Sequence, residues 1–335
     1  MPLSKTILGV LLGSAALGQS WMPQDSGVTA SLRGIGVVSQ TAAWASGSHG
    51  TFLRTTDGGA SWQSGQVAGA ADSDFRAVRA IDDQNAFLLS IGAGEKSRIY
   101  KTTNAGGRWL LLLANPDPKG FFDAMAFWDP AHGIVLGDPV DGRFTILTTA
   151  DGGDTWKRQK GPQALANEGA FAASNSCLVV RGAREAWFAT GGSARVFHTT
   201  DGGETWSVAK TPMRSVTESA GVFSIAFSDS KHGVAVGGDY KKTTDTTGNV
   251  AITTDGGKTW TAPSGPVPAG FRSAIAYIRD RKMWIATGTS GSDVSFDDGS
   301  SWKQFDTGNY NAVDFLATGD GWAVGPKGAI ARFKP

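Results

Sequence analysis

The chain reads as an all-β protein, a seven-bladed β-propeller of four-stranded antiparallel blades whose last blade is closed by the N-terminal strand. Three observations predict this. An octapeptide, TTDGGETW at residues 199–206, recurs along the sequence. A short apolar strand precedes each copy at matching intervals. The two chain ends carry complementary fragments of one further unit. Self-similarity at a period of tens of residues is the signature of a repeat architecture.

The octapeptide has a physical reading as a hairpin corner. Close copies stand at 55–62 and 253–260, with looser ones at 102–109, 148–156 (one residue added) and 297–302. An aspartate can bond main-chain N–H groups two residues on, and a glycine pair supplies positive φ at little steric cost. The capping residues are Asp57, Asn104, Asp151, Asp201, Asp255 and Asp298. Threonines before them favour extended backbone. The ring that follows, Trp62, Trp109, Trp156, Trp206, Trp260 or Trp302, is a large apolar anchor.

Counted from Trp21, successive anchors are 41, 47, 47, 50, 54 and 42 residues apart, the scatter that surface loop insertions produce. The apolar strands lie at 43–47, 87–90, 133–137, 187–191, 233–237, 284–288 and 321–325. Such near-continuous runs are buried on both faces. Blades one to six then occupy 31–66, 73–113, 121–160, 170–210, 221–264 and 271–306. Residues 310–334 supply three strands of the seventh blade, and the segment around Trp21 supplies the fourth. Closure leaves only short, protected sheet edges. Irregular stretches at 161–169, 210–220 and 238–249 are expected as loops on one face of a single domain, 19–335.

Residues 1–18 read as a signal peptide. Lys5 precedes an apolar run from Ile7, and Ala16-Leu17-Gly18 offers small residues at the cleavage spacing. The run is short for a membrane span. The mature chain is expected to be exported, periplasmic or extracellular, without a transmembrane segment.

Charge is balanced, 31 basic against 30 acidic residues for a net +1, which argues against a nucleic-acid binder reliant on overall positive charge. The single Cys177 cannot form an intramolecular disulfide or a CxxC site. His49, His132, His198 and His232 fall in different blades, giving no metal site, and no cofactor fingerprint is present.

These corners resemble the BNR/Asp-box repeat of sialidase-like propellers. The fuller unit is more similar to the photosystem II stability/assembly factor family, with Gly321-Trp322-Ala323-Val324-Gly325 and residues 199–206 as near-ideal copies of its two halves. The resemblance covers 21–334. It implies a lumenal or periplasmic propeller that assists assembly of a membrane complex by binding, without catalysis.

Candidate site residues begin the innermost strands, facing the central channel: Arg33, Arg76, Asp123, Glu168, Arg272 and Asn311. Arg33, Arg76 and Arg272 belong to blades one, two and six, one arc if the seventh blade lies between, and guanidinium forks suit a carboxylate, phosphate or acidic peptide. The competing reading pairs them with Asp123 and Glu168 in a solvated tunnel. Tyr240 and Lys241 sit on a long loop of mixed charge suited to protein recognition. The expected partner is a protein or acidic peptide, bound by a monomer. A sialidase-like glycoside hydrolase is the alternative, but Tyr100, Tyr240, Tyr277 and Tyr310 offer no evident nucleophile pair and the Arg-Ile-Pro signature is absent. A carbohydrate-binding module is the third reading. Export predicts loss of residues 1–18: N-terminal sequencing of the mature protein should begin near Gln19, and a mature protein beginning at Met1 would overturn the reading.

Overall fold

A computed structural model describes residues 18–335; the segment read as a signal peptide lies outside them but for Gly18. The described residues form seven antiparallel sheets, six of four strands and one of three, each ordered as its strands follow in sequence except at the chain ends. The innermost strands are Leu32–Val37, Asp74–Ala80, Phe122–Phe127, Leu178–Arg181, Ala220–Phe227, Ala274–Ile278 and Ala312–Phe315, and they touch one another in cyclic order. The second strands are the apolar runs. Ala43–Gly47 and Met283–Gly288 are buried along their whole length, as strands covered on both faces must be. The fifth blade is the three-stranded one; its fourth strand shrinks to a single bridge between Ile252 and Thr261.

The ring closes through the termini. Ser20–Gln24 pairs antiparallel with Ile330–Lys334, from Ser20 opposite Lys334 to Gln24 opposite Ile330. Trp21 is buried against Phe305, Tyr310, Phe315 and Phe333, and its Nε1 donates to Ser292 Oγ at 2.9 Å in the sixth blade. Gln24 Oε1 accepts from Trp322 Nε1 at 2.9 Å and from Trp62 Nε1 at 3.1 Å. One short strand thus ties blades six, seven and one.

The corners are caps, with a longer reach than the sequence suggested. In the first, Asp57 Oδ1 accepts from Thr55 Oγ1 at 2.8 Å and from Ser61 N at 3.0 Å, while Ser61 Oγ donates to Oδ2 at 2.6 Å. Thr55 Oγ1 in turn accepts from Gly59 N at 2.9 Å. The aspartate therefore bonds four residues forward and two back. Asp151, Asp201 and Asp255 repeat this, and Asn104 bonds Thr102 and Arg108 N in the same manner. Gly58 and Gly59 hold φ of 75° and 80°, conformations open to glycine at little cost.

Two assignments are corrected here. In the sixth blade the capping carboxylate is Asp297, which bonds Ser295 and Ser301; Asp298 takes the first glycine's place at φ 55°, a conformation that Asp tolerates better than most residues. The third corner has no added residue: Thr149, Asp151, Gly153 and Thr155 bond as Thr55, Asp57, Gly59 and Ser61 do. The anchor rings also divide. Trp62, Trp260 and Trp302 are buried, whereas Trp109, Trp156 and Trp206 are half-buried.

Blade four starts later than expected. Its inner strand begins at Leu178, and residues 170–176 cross the channel instead. Ala172 O accepts from Arg76 Nη1 at 3.0 Å in blade two, and Asn175 Oδ1 from Met125 N at 2.8 Å in blade three. Ser176 O accepts from Ile225 N at 3.0 Å in blade five, and Ser174 Oγ donates to Ser273 O at 2.7 Å beside blade six. Among the described residues no helix is long and apolar enough to cross a membrane.

Deleting residues 19–30 should lower the melting temperature of the whole domain, because the closing strand goes with them; unchanged thermal unfolding would mean that the pairing does not hold the ring. The corners also predict an acid response. Hydrogen bonds from Ser61 and Thr155 hold Asp57 and Asp151 down at about 2. For Asp201 and Asp255 slight burial pushes upward, but the bonds from Thr205 and Thr259 with their neighbours outweigh it and the values again fall to about 2. A depressed folded-state value stabilises the fold above about pH 4 and is lost as pH falls toward 2. Melting temperature should therefore drop across that window, and less steeply in Asp201→Asn, as circular dichroism melts at stepped pH will show.

Candidate functional site

A register slip in four of the seven inner strands builds the site. Register slips between Leu32 and Gly34, Phe75 and Ala77, Phe122 and Ala124, and Val222 and Ser224. Each slip is a β-bulge whose extra residue leaves the ladder, and a bulge re-aims that side chain. The bulge residues are Arg33, Arg76, Asp123 and Phe223. Ser273 and Asn311 occupy the matching places just ahead of Ala274–Ile278 and Ala312–Phe315. All six line one cavity of about 610 Å³ at a channel mouth, floored in part by Ala170–Ala173.

Its walls differ in character. On one side Arg76 Nε donates to Asp74 Oδ2 at 2.8 Å, and Arg33 Nη1 donates to Asn311 Oδ1 at 3.4 Å. Among the described residues Arg33 Nε has no partner. Burial, then the neighbouring positive charge of Arg76, lowers the Arg33 guanidinium from its ordinary value, and Asp74 opposes this. On the other side Phe171 stacks on Phe223 with ring centroids 3.7 Å apart, and Phe271 meets Phe223 edge-on at 4.7 Å. Tyr240, 47% exposed, stands at the rim 6.2 Å from Phe223. Lys241 lies over the Tyr240 ring at 6.0 Å and does not line the cavity.

Asp123 is 1% exposed, and neither of its oxygens has a hydrogen-bond partner among the described residues. Burial, then the nearby charge of Asp138, pushes it well above the usual carboxylate range. The Asp138 N–H pulls the other way, although it donates to Phe121 O at 2.9 Å.

Two expected channel residues lie elsewhere. Arg272 is wholly buried. The sequence Phe271-Arg272-Ser273 mimics Phe75-Arg76-Ala77, but the structure is displaced by one residue, so Arg272 falls at the interior position held by Leu32, Phe75 and Phe122. There it forms an ion pair with Asp293, with Nη1 bonded to Phe271 O at 2.8 Å and Ser290 Oγ at 2.9 Å. Glu168 precedes the crossing segment and is buried in a pair with Arg195, its Oε1 accepting from Arg195 Nε at 2.8 Å and Thr190 Oγ1 at 2.7 Å. The tunnel of mutually paired charges is therefore not what forms: Arg76 pairs with Asp74, Glu168 with Arg195 and Arg272 with Asp293, while Asp123 stays unpaired.

Sequence reasoning missed Asp74, Phe171, Phe223 and Ser273. One signal was available. The residue two before the corner Thr or Ser is Leu53, Tyr100, Leu147, Phe197 or Ala251 in the other blades but Asp293 in the sixth, which calls for a buried cation such as Arg272. Of the four tyrosines only Tyr240 lines the cavity, and no glutamate does among the described residues.

Comparison with known proteins agrees with this architecture. Residues 115–262 match the family described as "Photosynthesis system II assembly factor YCF48". No curated protein sequence matches. Among solved structures, "YCF48 bound to D1 peptide" superposes with a TM-score of 0.67 at 17% identity, covering 94% of this chain and 97% of that one. YCF48 from Cyanidioschyzon merolae gives 0.66 at 17% identity, covering 95% and 99%. A streptogramin B lyase gives 0.63 at 14% identity, covering 94% and 97%. The resemblance read from the corners is thus met by a photosystem II assembly factor-like profile over the middle of the chain and by the propeller fold over nearly all of it.

The Arg272–Asp293 pair carries a stability prediction. Arg272→Ala strands a buried carboxylate and should cost about 3–5 kcal/mol, the usual penalty for breaking a buried pair from one side. An Arg272→Leu/Asp293→Leu double variant should recover most of it, measured by chemical denaturation, since other blades place apolar side chains there.

Proposed function

We propose that this protein is an exported, non-catalytic propeller that binds an acidic peptide segment of a protein partner at the channel mouth, in the manner of an assembly factor for a membrane complex. The observation that carries the reading is the placement of Arg33 and Arg76. Adjacent blades thrust them from bulges into one cavity, opposite the Phe171–Phe223 stack. Guanidinium groups hydrogen-bond carboxylates with charge assistance, and aromatic rings accept the apolar part of a peptide. Arg33, short of partners and crowded by Arg76, gains most from an incoming anion. A YCF48 bound to a D1 peptide supports a peptide ligand, and the match over 115–262 supports the assembly role. Export rests on residues 1–18 and a monomer on the closed ring.

The test is fluorescence anisotropy with a labelled Asp/Glu-rich peptide. Affinity should fall as salt rises. An Arg33→Ala/Arg76→Ala variant that melts like the parent should lose roughly tenfold or more, about what one charge-assisted bond contributes. Full binding by that variant would remove the site. Turnover of an aryl sialoside by the parent would put the hydrolase reading first.

A further inference from the structure

The arginines occupy one pole of the cavity; a second pole carries the opposite charge. Asp138 sits in the second strand of blade three, Gly133–Val140, half-buried at the same mouth. Its Oδ1 accepts from Ala170 N at 3.0 Å, and its Oδ2 has no partner among the described residues and is not sealed from the cavity. Asp123 lies behind it, with both oxygens unpartnered. The two poles do not neutralise each other: the charges acting on Asp123 are acidic, and those acting on Arg33 are Arg76 and Asp74. A buried carboxylate without a hydrogen-bond partner is costly, and a cation is the group that relieves it. Between the poles lies the Phe171–Phe223 stack, a surface for methylene groups.

Resting on the reading above, we infer that the cavity is a receptor for a dipolar peptide segment, whose carboxylate engages Arg33 and Arg76 while a primary ammonium of the same segment engages Asp138 backed by Asp123. The ammonium comes from a lysine side chain or from a chain terminus; both offer three donors to the acidic pole. Its arrival favours ionisation of both carboxylates, which burial, and for Asp123 also the charge of Asp138, otherwise resist.

Calorimetry on the full chain with three synthetic nonapeptides tests this. One is N-acetylated and carries two aspartates and a lysine; the second is identical but for Nε-acetyl-lysine; the third lacks lysine and keeps a free N-terminus. The lysine peptide should bind roughly tenfold or more tightly than its acetyl-lysine counterpart, as expected for a charge-assisted bond to a half-buried acid. Asp138→Asn should bring those two to one affinity. Tight binding of the third peptide would also support the acidic pole and assign the ammonium to a chain terminus. Equal affinity of all three peptides for the parent, with binding still lost in Arg33→Ala/Arg76→Ala, would overturn this inference and leave the acidic-peptide reading standing. Full binding by that double variant would overturn both. The comparison of peptides on the parent decides the matter even if Asp138→Asn does not fold.

Discussion

Everything in this molecule depends on closing a ring with one short strand. Each blade buries its faces only against its neighbours, so an open arc of seven sheets would leave two apolar faces in water. The pairing of Ser20–Gln24 with Ile330–Lys334 removes that pair of faces at once. Gln24 then acts as a clasp, its amide oxygen holding the indoles of Trp62 and Trp322 from the two blades that meet at the seam. The corners serve the same end locally. A threonine, an aspartate and a Ser or Thr satisfy one another and much of the turn's main chain within a few residues, and the first corner glycine ties the turn to its surroundings, as where Gly58 N donates to Thr41 O and Gly58 O accepts from Arg332 Nη1.

Closure also decides where chemistry can gather. The inner strands converge on the axis, and in blades one, two, three and five a bulge turns one side chain inward while the residue before it stays buried between sheets. Sequence variation at those points changes the cavity without disturbing the ladder. That separates a uniform scaffold from an individual mouth, here with arginines from blades one and two, acids from blade three and rings from blade five and the crossing segment.

The fold was legible because its determinants are local and repeated. Corner, apolar strand and terminal half-units each recur, and the structure has them where the spacing put them. The site was legible in part. Arg33, Arg76, Asp123 and Asn311 meet in one cavity as the inner-strand reading requires. Arg272 escaped because a bulge breaks the alternation by which a face is read, so two similar tripeptides can stand one residue out of step. Asp298 escaped similarly, since adjacent aspartates compete for one role and only the spacing of five to Trp302, matching Asp57 to Trp62, selects Asp297. Residues 170–176 carry no periodicity, being mostly small residues around the single ring of Phe171, and their course is fixed by bonds to four other blades.

That crossing segment makes the axis a blind well. Its first residues floor the cavity at one mouth, and Ser174, Asn175 and Ser176 line a separate cavity of about 470 Å³ on the other side. A chain cannot be threaded through such a ring; whatever enters must leave by the same opening. The geometry favours a free end or a tight reverse turn over an extended strand passing by. Under the proposed peptide-binding role, release then requires only withdrawal through that opening.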